Sequence, residues 1–258
     1  MRILPGVALV LLAVGCCGST PSPAEGLPWE ASPPPILQEM RRKIEGCRTL
    51  VLTADVEGRT SLPLAPYLRG SKPLREHHFR GRARVVVGGN NRVRFESSQS
   101  GREARPYLFV SNGSLVGALD NGVRSPTREA PAGLSRDVLQ RCSTAGVVSA
   151  RHPCDLALES PKRVEPPGRT SIDYRSCDEI LDGRRTVRIE VRTTKVTDRG
   201  FEGQTSSETV DVWWIDPSTA LPVARRSGLP EDALCLRESS LRWTLDGPVD
   251  DREFVLPE

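Results

Sequence analysis

The chain has 258 residues, of which 37% are hydrophobic and 27% charged, with a net charge of +3. It is long enough to bury a sizeable core and lies outside the compositional range of disordered chains. It has no global field to steer a polyanion, and at 5% aromatic residues it lacks the rings of a base-stacking platform, so no nucleic-acid partner is expected.

Residues 1–15, MRILPGVALVLLAVG, place one basic residue, Arg2, before an apolar run from Val7 to Val14. The run is too short to span a bilayer as a helix and reads as an export signal. It leads into Leu12-Ala13-Val14-Gly15-Cys16, which resembles the bacterial lipobox, with Ala13 where leucine is usual. Cys16 is therefore the expected lipidation site, anchoring the chain to a membrane without spanning it. The alternative is an ordinary signal peptide cleaved near Ala24. Cys17 stands where an aspartate would signal retention in enteric-type bacteria, so the expected location is the cell envelope, at the outer membrane facing the periplasm. Six prolines between residues 18 and 35 mark residues 16–35 as a tether, with a reach of roughly 50 Å if polyproline II.

Five cysteines remain for the folded part: Cys47, Cys142, Cys154, Cys177 and Cys235. An odd number cannot all pair within one chain. Cys142–Cys154 is the most local pairing and Cys177–Cys235 a long-range option, and at least one thiol should stay free. Cys142, His152 and Cys154 match no common zinc spacing, and no metal or cofactor is expected.

Over residues 34–47, Ile36, Leu37, Met40, Ile44 and Cys47 form one apolar stripe of a helix. Leu50, Leu52, Ala54 and Val56 then alternate with polar or exposed partners, a strand with one wet face. Residues 62–74 contain three prolines and read as loop. Phe79–Val87 and Arg92–Ser97 are strands around Gly88-Gly89-Asn90-Asn91. Tyr107–Val110 and Leu115–Leu119 flank Asn112-Gly113, a hairpin signal, and Asn121-Gly122 offers another turn. Leu134, Val138, Leu139 and Cys142 mark a helix or two short ones within 133–149. Residues 150–170, with Pro153, Pro161, Pro166 and Pro167, read mostly as loop. Strands return after the Asp182-Gly183 turn, at Arg184–Thr194, Val210–Ile215, Leu221–Arg226 and Leu234–Leu245.

Charge is uneven along the chain. Residues 75–105 hold eight basic and three acidic residues, and residues 229–258 three basic and eight acidic. Two regions that neutralise each other in the fold explain this more simply than an electropositive face. The cations are 32 arginines and four lysines, a bias that genomic base composition accounts for.

The order helix, strands, helical insertion, strands resembles the bacterial outer-membrane lipoprotein carrier family (LolA/LolB-like). The hairpin V-S-D-G-K-T-L-W of carriers is similar to Val110-Ser111-Asn112-Gly113-Ser114-Leu115-Val116-Gly117. A W-I-D-P-x-T-x-L-P run is matched by residues 214–222, and a terminal D-x-x-x-F-x-x-P by residues 250–257. The resemblance covers about residues 34–258. It implies an α+β, mostly antiparallel fold: one domain over residues 36–258, a curved incomplete β-barrel with an N-terminal helix and a helical lid insertion. The carriers hold acyl chains in the apolar concavity of that barrel. The arginine-proline pair that latches the carriers' lid is Gly89-Asn90 here, so the classical latch is not implied.

On that basis the expected ligand site is an apolar wall of Leu50, Leu52, Val56, Val85, Val93, Phe95, Val187, Ile189, Val191 and Trp214. Ala54, Leu108, Val110, Leu115 and Val212 are further candidates, and the lid is expected at Leu134, Val138 and Cys142. The expected function is a membrane-anchored envelope lipoprotein that binds an acyl chain or lipidated cargo, as in lipoprotein sorting. The alternative is a tethered protein-interaction or sensing module with a filled core and no lipid ligand. No catalytic residues are expected: no nucleophile elbow, Walker loop or zincin motif is present, and adjacent His77 and His78 would point to opposite faces of a strand.

Overall fold

The computed structural model describes residues 23–62, 75–100, 106–158, 168–198, 204–228 and 234–257. Cys16, Cys17 and residues 63–74 of the expected loop lie outside the described residues. Alternating segments form β1 (Leu50–Leu62), β2 (Arg75–Val87), β3 (Arg92–Ser100), β4 (Tyr107–Asn112), β5 (Leu115–Asp120) and two short strands, β6 (Val123–Arg124) and β7 (Arg128–Glu129). After the helical insertion come β8 (Gly168–Leu181), β9 (Arg184–Asp198), β10 (Gln204–Asp216), β11 (Leu221–Ser227) and β12 (Leu234–Leu245). All twelve belong to one curved, open antiparallel sheet in the order β6-β5-β4-β3-β2-β1-β12-β11-β10-β9-β8, with β7 beside β5. The β1–β12 ladder joins two meanders, and the sheet does not close. The expected fold class is the observed one.

Turn chemistry sets the registers. Asn90 and Asn91 both have φ near 60°, and Asp182-Gly183 and Asn121-Gly122 are likewise left-handed at both positions, the geometry that tight hairpins require. At Gly113 a Cβ would stand 2.5 Å from the Asn90 carbonyl oxygen, so only glycine lets the two neighbouring hairpins meet.

Three helices cover one face of the sheet. Prolines 34 and 35 start α1 (Pro35–Gly46), where a missing N–H costs nothing, and Leu37, Met40 and Ile44 turn inward. The insertion is α2 (Leu134–Ser149), kinked at Gly146, followed by α3 (Arg151–Leu158). Helix α3 corrects the expectation of loop after residue 150. Pro153 falls in its first turn, where proline is tolerated. Strand β8 carried no clear alternation because it is an edge strand with one open side. Strands β9 and β10 extend beyond the expected limits through Thr- and Ser-rich ends that still pair in register.

Part of the stretch expected as tether contacts the domain. Ala24 is buried, and Glu30 exchanges both backbone hydrogen bonds with Tyr174 of β8 at 2.7 Å. Trp29 lies beneath the guanidiniums of Arg175 and Arg192, 4.5 and 4.3 Å from its ring centre, a cation–π contact on both.

The opposite face of the sheet carries the C-terminal arm. A 3₁₀ turn (Asp251–Phe254) seats Phe254 with Val86 and Val110. Arg84 forks onto Glu253 at 2.6 and 2.9 Å, Arg94 donates to the Glu253 carbonyl at 3.2 Å, and Arg92 pairs with Asp251. Within the sheet Arg80 pairs with Glu57 and Arg82 with Asp55. The basic stretch thus neutralises its own sheet and the acidic tail, as expected. Hydrogen bonds from Arg84 hold the Glu253 carboxyl below its usual 4.5. A carboxyl depressed in the folded state stabilises above the unfolded value and loses that contribution as pH falls through the depressed one. Protection of the Arg252–Val255 amides, measured against their intrinsic exchange rates, should therefore fall on acidification below pH 4.5, ahead of the central strands, and Arg84→Met should remove that step.

Neither candidate disulfide is formed among the described residues. Cys142 and Cys154 are buried thiols, as is Cys47, and β9, β10 and β11 separate Cys177 on β8 from Cys235 on β12. Burial pushes the Cys47 thiol up to about 11 and raises Cys142 and Cys154 as well. Iodoacetamide at neutral pH should spare these three in the folded chain and label them after denaturation. Labelling of Cys142 in the folded state would mean that α2 lifts from the sheet.

Candidate functional site

The expected apolar wall is present, and the chain fills it itself. Leu50, Leu52, Val85, Val93, Phe95 and Ile189 are no more than 1% exposed. Val56 and Val191 are buried and Val187 is packed against the same core. Opposite them stand Leu37, Met40 and Ile44 of α1 and the expected lid residues Leu134, Val138 and Cys142 of α2, all in the same apolar cluster. Helix α2, which carries the residues expected to form a lid, is packed directly on these wall residues.

Trp214 is a correction. It pairs with Arg188, whereas its neighbour Trp213 pairs with Ile189, so Trp213 faces the helices and Trp214 the other side. There its Nε1 donates to Glu179 at 2.8 Å, beside the buried Arg188–Glu190 pair. Leu108, Val110, Leu115 and Val212 also face away from the helices. The inward residues of β4 are Tyr107 and Phe109, the latter opposite Phe95. Both parities of these strands are apolar, and alternation alone cannot choose between them.

The helix-covered face holds a polar feature that sequence reasoning missed. Glu238 is 0% exposed, and its carboxylate accepts the backbone N–H groups of Val147 and Val148 at 3.2 and 2.9 Å. Two β-bulges put charge here. In β12 an extra residue lies opposite Ala54, between Arg242 and Ser239, and it turns Glu238 inward, as bulges re-aim side chains. In β11 an extra residue opposite Trp214/Ile215 sets Arg225 beside Trp213 and Glu238. Arg225 donates to Asp211 at 2.7 Å and stands 3.9 Å from Glu238. Because Arg225 gives its short hydrogen bond to Asp211, burial outweighs its attraction and the Glu238 carboxyl is raised above its usual value. The α2 kink completes the arrangement. Gly146, at φ 78° and ψ −179°, breaks the helix and frees two N–H groups at the start of the next helical segment, where a carboxylate is favoured. Glu238 is thus a clamp between lid and sheet. Ser143 donates to Glu45 at 2.5 Å, joining α2 to α1, and the Tyr107 hydroxyl donates to Asp155 at 2.7 Å, joining β4 to α3.

The open space lies on the other face. A groove of about 760 Å³ crosses the sheet from β12 over β1, β2, β3 and β4 to β5. Leu108, Leu119 and Pro106 give it apolar surface, Thr53, Ser98 and Ser240 give hydroxyls, and Arg82, Arg84 and Arg242 give guanidiniums. Thr53, Arg84, Glu96, Leu108 and Leu119 are successive cross-strand partners, so they form one row across the strands. Leu108 was expected in the apolar wall and assigned to the wrong face. Arg82, Arg84, Glu96 and Ser98 fall in the basic stretch of residues 75–105, the surface that the alternative of a protein-interaction module would use.

No family model matches the chain, and no curated protein is similar to it. Among solved structures it is similar to a chain of the Pseudomonas aeruginosa MucA/MucB complex at 15% identity, over 84% of this chain and 60% of that one, with a TM-score of 0.36. It is also similar to a domain described as an outer membrane lipoprotein-sorting protein from Vibrio parahaemolyticus, at 7% identity over 85% of this chain and 94% of that one, TM-score 0.30. The chain therefore spans 60% of the length of the first of these.

Proposed function

We propose that the chain is a tethered interaction module of the cell envelope, anchored through Cys16, that receives a protein segment on the open face of its sheet. The observation that carries this reading is the reversal of roles between the two faces. The face expected to hold an acyl chain is occupied by α1 and α2, while the opposite face keeps a groove across six strands. An acyl carrier would have to lift α2, exposing buried side chains such as Leu134 and Val138 at about 1.5–3 kcal/mol each and stripping Glu238 of both backbone donors.

The test is acyl uptake. A fragment spanning residues 23–258 should carry no lipid by native mass spectrometry and should not bind a fluorescent fatty acid. Stoichiometric uptake, accompanied by iodoacetamide labelling of Cys142, would restore the carrier reading. Anchoring is tested separately. The full chain should incorporate labelled fatty acid, and Cys16→Ala should abolish this and accumulate as precursor.

A further inference from the structure

We infer that the groove on the open face takes an extended, acidic peptide segment of about seven residues. The inference rests on the reading of that face as the interaction surface and names the chemistry of its partner.

Length comes from the strands. From β12 to β5 the groove crosses six neighbouring strands. Five gaps of about 4.8 Å give roughly 24 Å, the span of about seven extended residues at 3.3 Å each. A compact ligand would leave most of that span empty.

Sign comes from the hydrogen-bonding capacity that remains. The two carboxylates of the groove are already engaged: Asp55 accepts from Arg82, and Glu96 from Arg84 and Arg94. Arg84 is itself shared between Glu96 and Glu253. Arg82 gives Asp55 one hydrogen bond, through Nε at 3.3 Å, and its side chain is 84% exposed. Both of its Nη groups are left over. Arg242, exposed across β1 from this pair, is a second guanidinium in the lining. The two forked donors stand on β2 and β12, and the apolar floor of Leu108 and Leu119 lies on β4 and β5 at the other end of the groove. This matches a segment acidic at one end and apolar at the other, because guanidinium binds carboxylate bidentately. A basic segment would meet no carboxylate that is not already held by arginine.

The probe is a fluorescein-labelled extended peptide of about seven residues, glutamates in one half and leucines in the other, titrated by anisotropy into the full chain in mild detergent. Lysine–leucine and glutamine–leucine peptides are run alongside it. The glutamate peptide should bind, more weakly as salt is raised, and the other two should not. Arg82→Glu with Arg242→Glu should weaken it at least about tenfold and admit the lysine peptide, since like charges in contact cost that much or more. Ser98→Trp, at an exposed strand position where tryptophan is well tolerated, should fill the groove and block binding. Equal binding of all three peptides would overturn the acidic class and leave the interaction face standing. Binding indifferent to both Ser98→Trp and the double reversal would place the site elsewhere and overturn both readings. Absence of binding by any peptide would overturn the inference, as would a fatty-acid probe displaced by Ser98→Trp.

Discussion

Glu238→Ala is expected to cost about 3–5 kcal/mol, the usual penalty for breaking a buried charged arrangement, and to lower Tm by roughly 10 °C in a domain of this size. The substitution strands three groups at once and leaves a void. Val147 and Val148 lose their acceptor, Arg225 loses its nearby counter-charge, and the space of a fully buried side chain is vacated. Glu238→Gln keeps one acceptor oxygen and the volume, and should cost about 1–2 kcal/mol at neutral pH. The pH dependence separates the two roles. Burial raises the Glu238 carboxyl above its usual 4.5, so the folded chain holds this proton more tightly than the unfolded one. Stability from this group is therefore full below 4.5 and declines as pH rises toward the raised value, opposite in sign to Glu253. Thermal melts across that range should show the decline in the parent chain and not in Glu238→Gln.

Gly146→Ala should be nearly as damaging, at about 3 kcal/mol or more, for two reasons that can be measured apart. A Cβ there would stand 2.1 Å from Glu238 Oε2 and 2.8 Å from its carboxyl carbon. The backbone also occupies a region that only glycine adopts without strain. In the double variant with Glu238→Ala the collision is gone and the strain of about 1–3 kcal/mol remains. The two costs should thus be clearly less than additive. Denaturant titration of the four chains gives the coupling directly, and additive costs would mean that carboxylate and kink are independent.

Period-two segments and Asn-Gly or Asp-Gly turns made most of the sheet legible, and Ile36–Cys47 made α1 legible. What failed has identifiable causes. Strand β8 is polar and lies at an edge, so burial leaves little pattern on it. In Tyr107-Leu108-Phe109-Val110 and Val212-Trp213-Trp214-Ile215 both faces are apolar because both are covered, one by helices and the other by the C-terminal arm or local packing. The parity of Trp214 was therefore undetermined. The clamp had a signal that went unused. In β12 the apolar residues run Leu234, Leu236 and then Leu241, Trp243, Leu245. The change from even to odd across Ser239-Ser240 marks the bulge and places Glu238 on the inward row. The groove had only a partial signal: its arginines Arg82 and Arg84 fall in the basic stretch of residues 75–105, but Leu108 reads as core as readily as surface.

The docking of Trp29 and Glu30 on β8 and β9 also determines how a pull on the N-terminal side would be carried. A pull from the N-terminal side arrives first at the rim of the sheet, at the Glu30–Tyr174 bridge and the indole of Trp29. α1 and the core lie behind them. These few contacts open in succession, as in peeling, at forces well below those that shear a long ladder. Their release frees the stretch from Ala24 to Pro34, whose full extended length is about 35 Å. With the chain anchored through Cys16, as proposed, this strap would act as a mechanical fuse, yielding at a few contacts that re-form when tension drops, before α1 and the core are loaded.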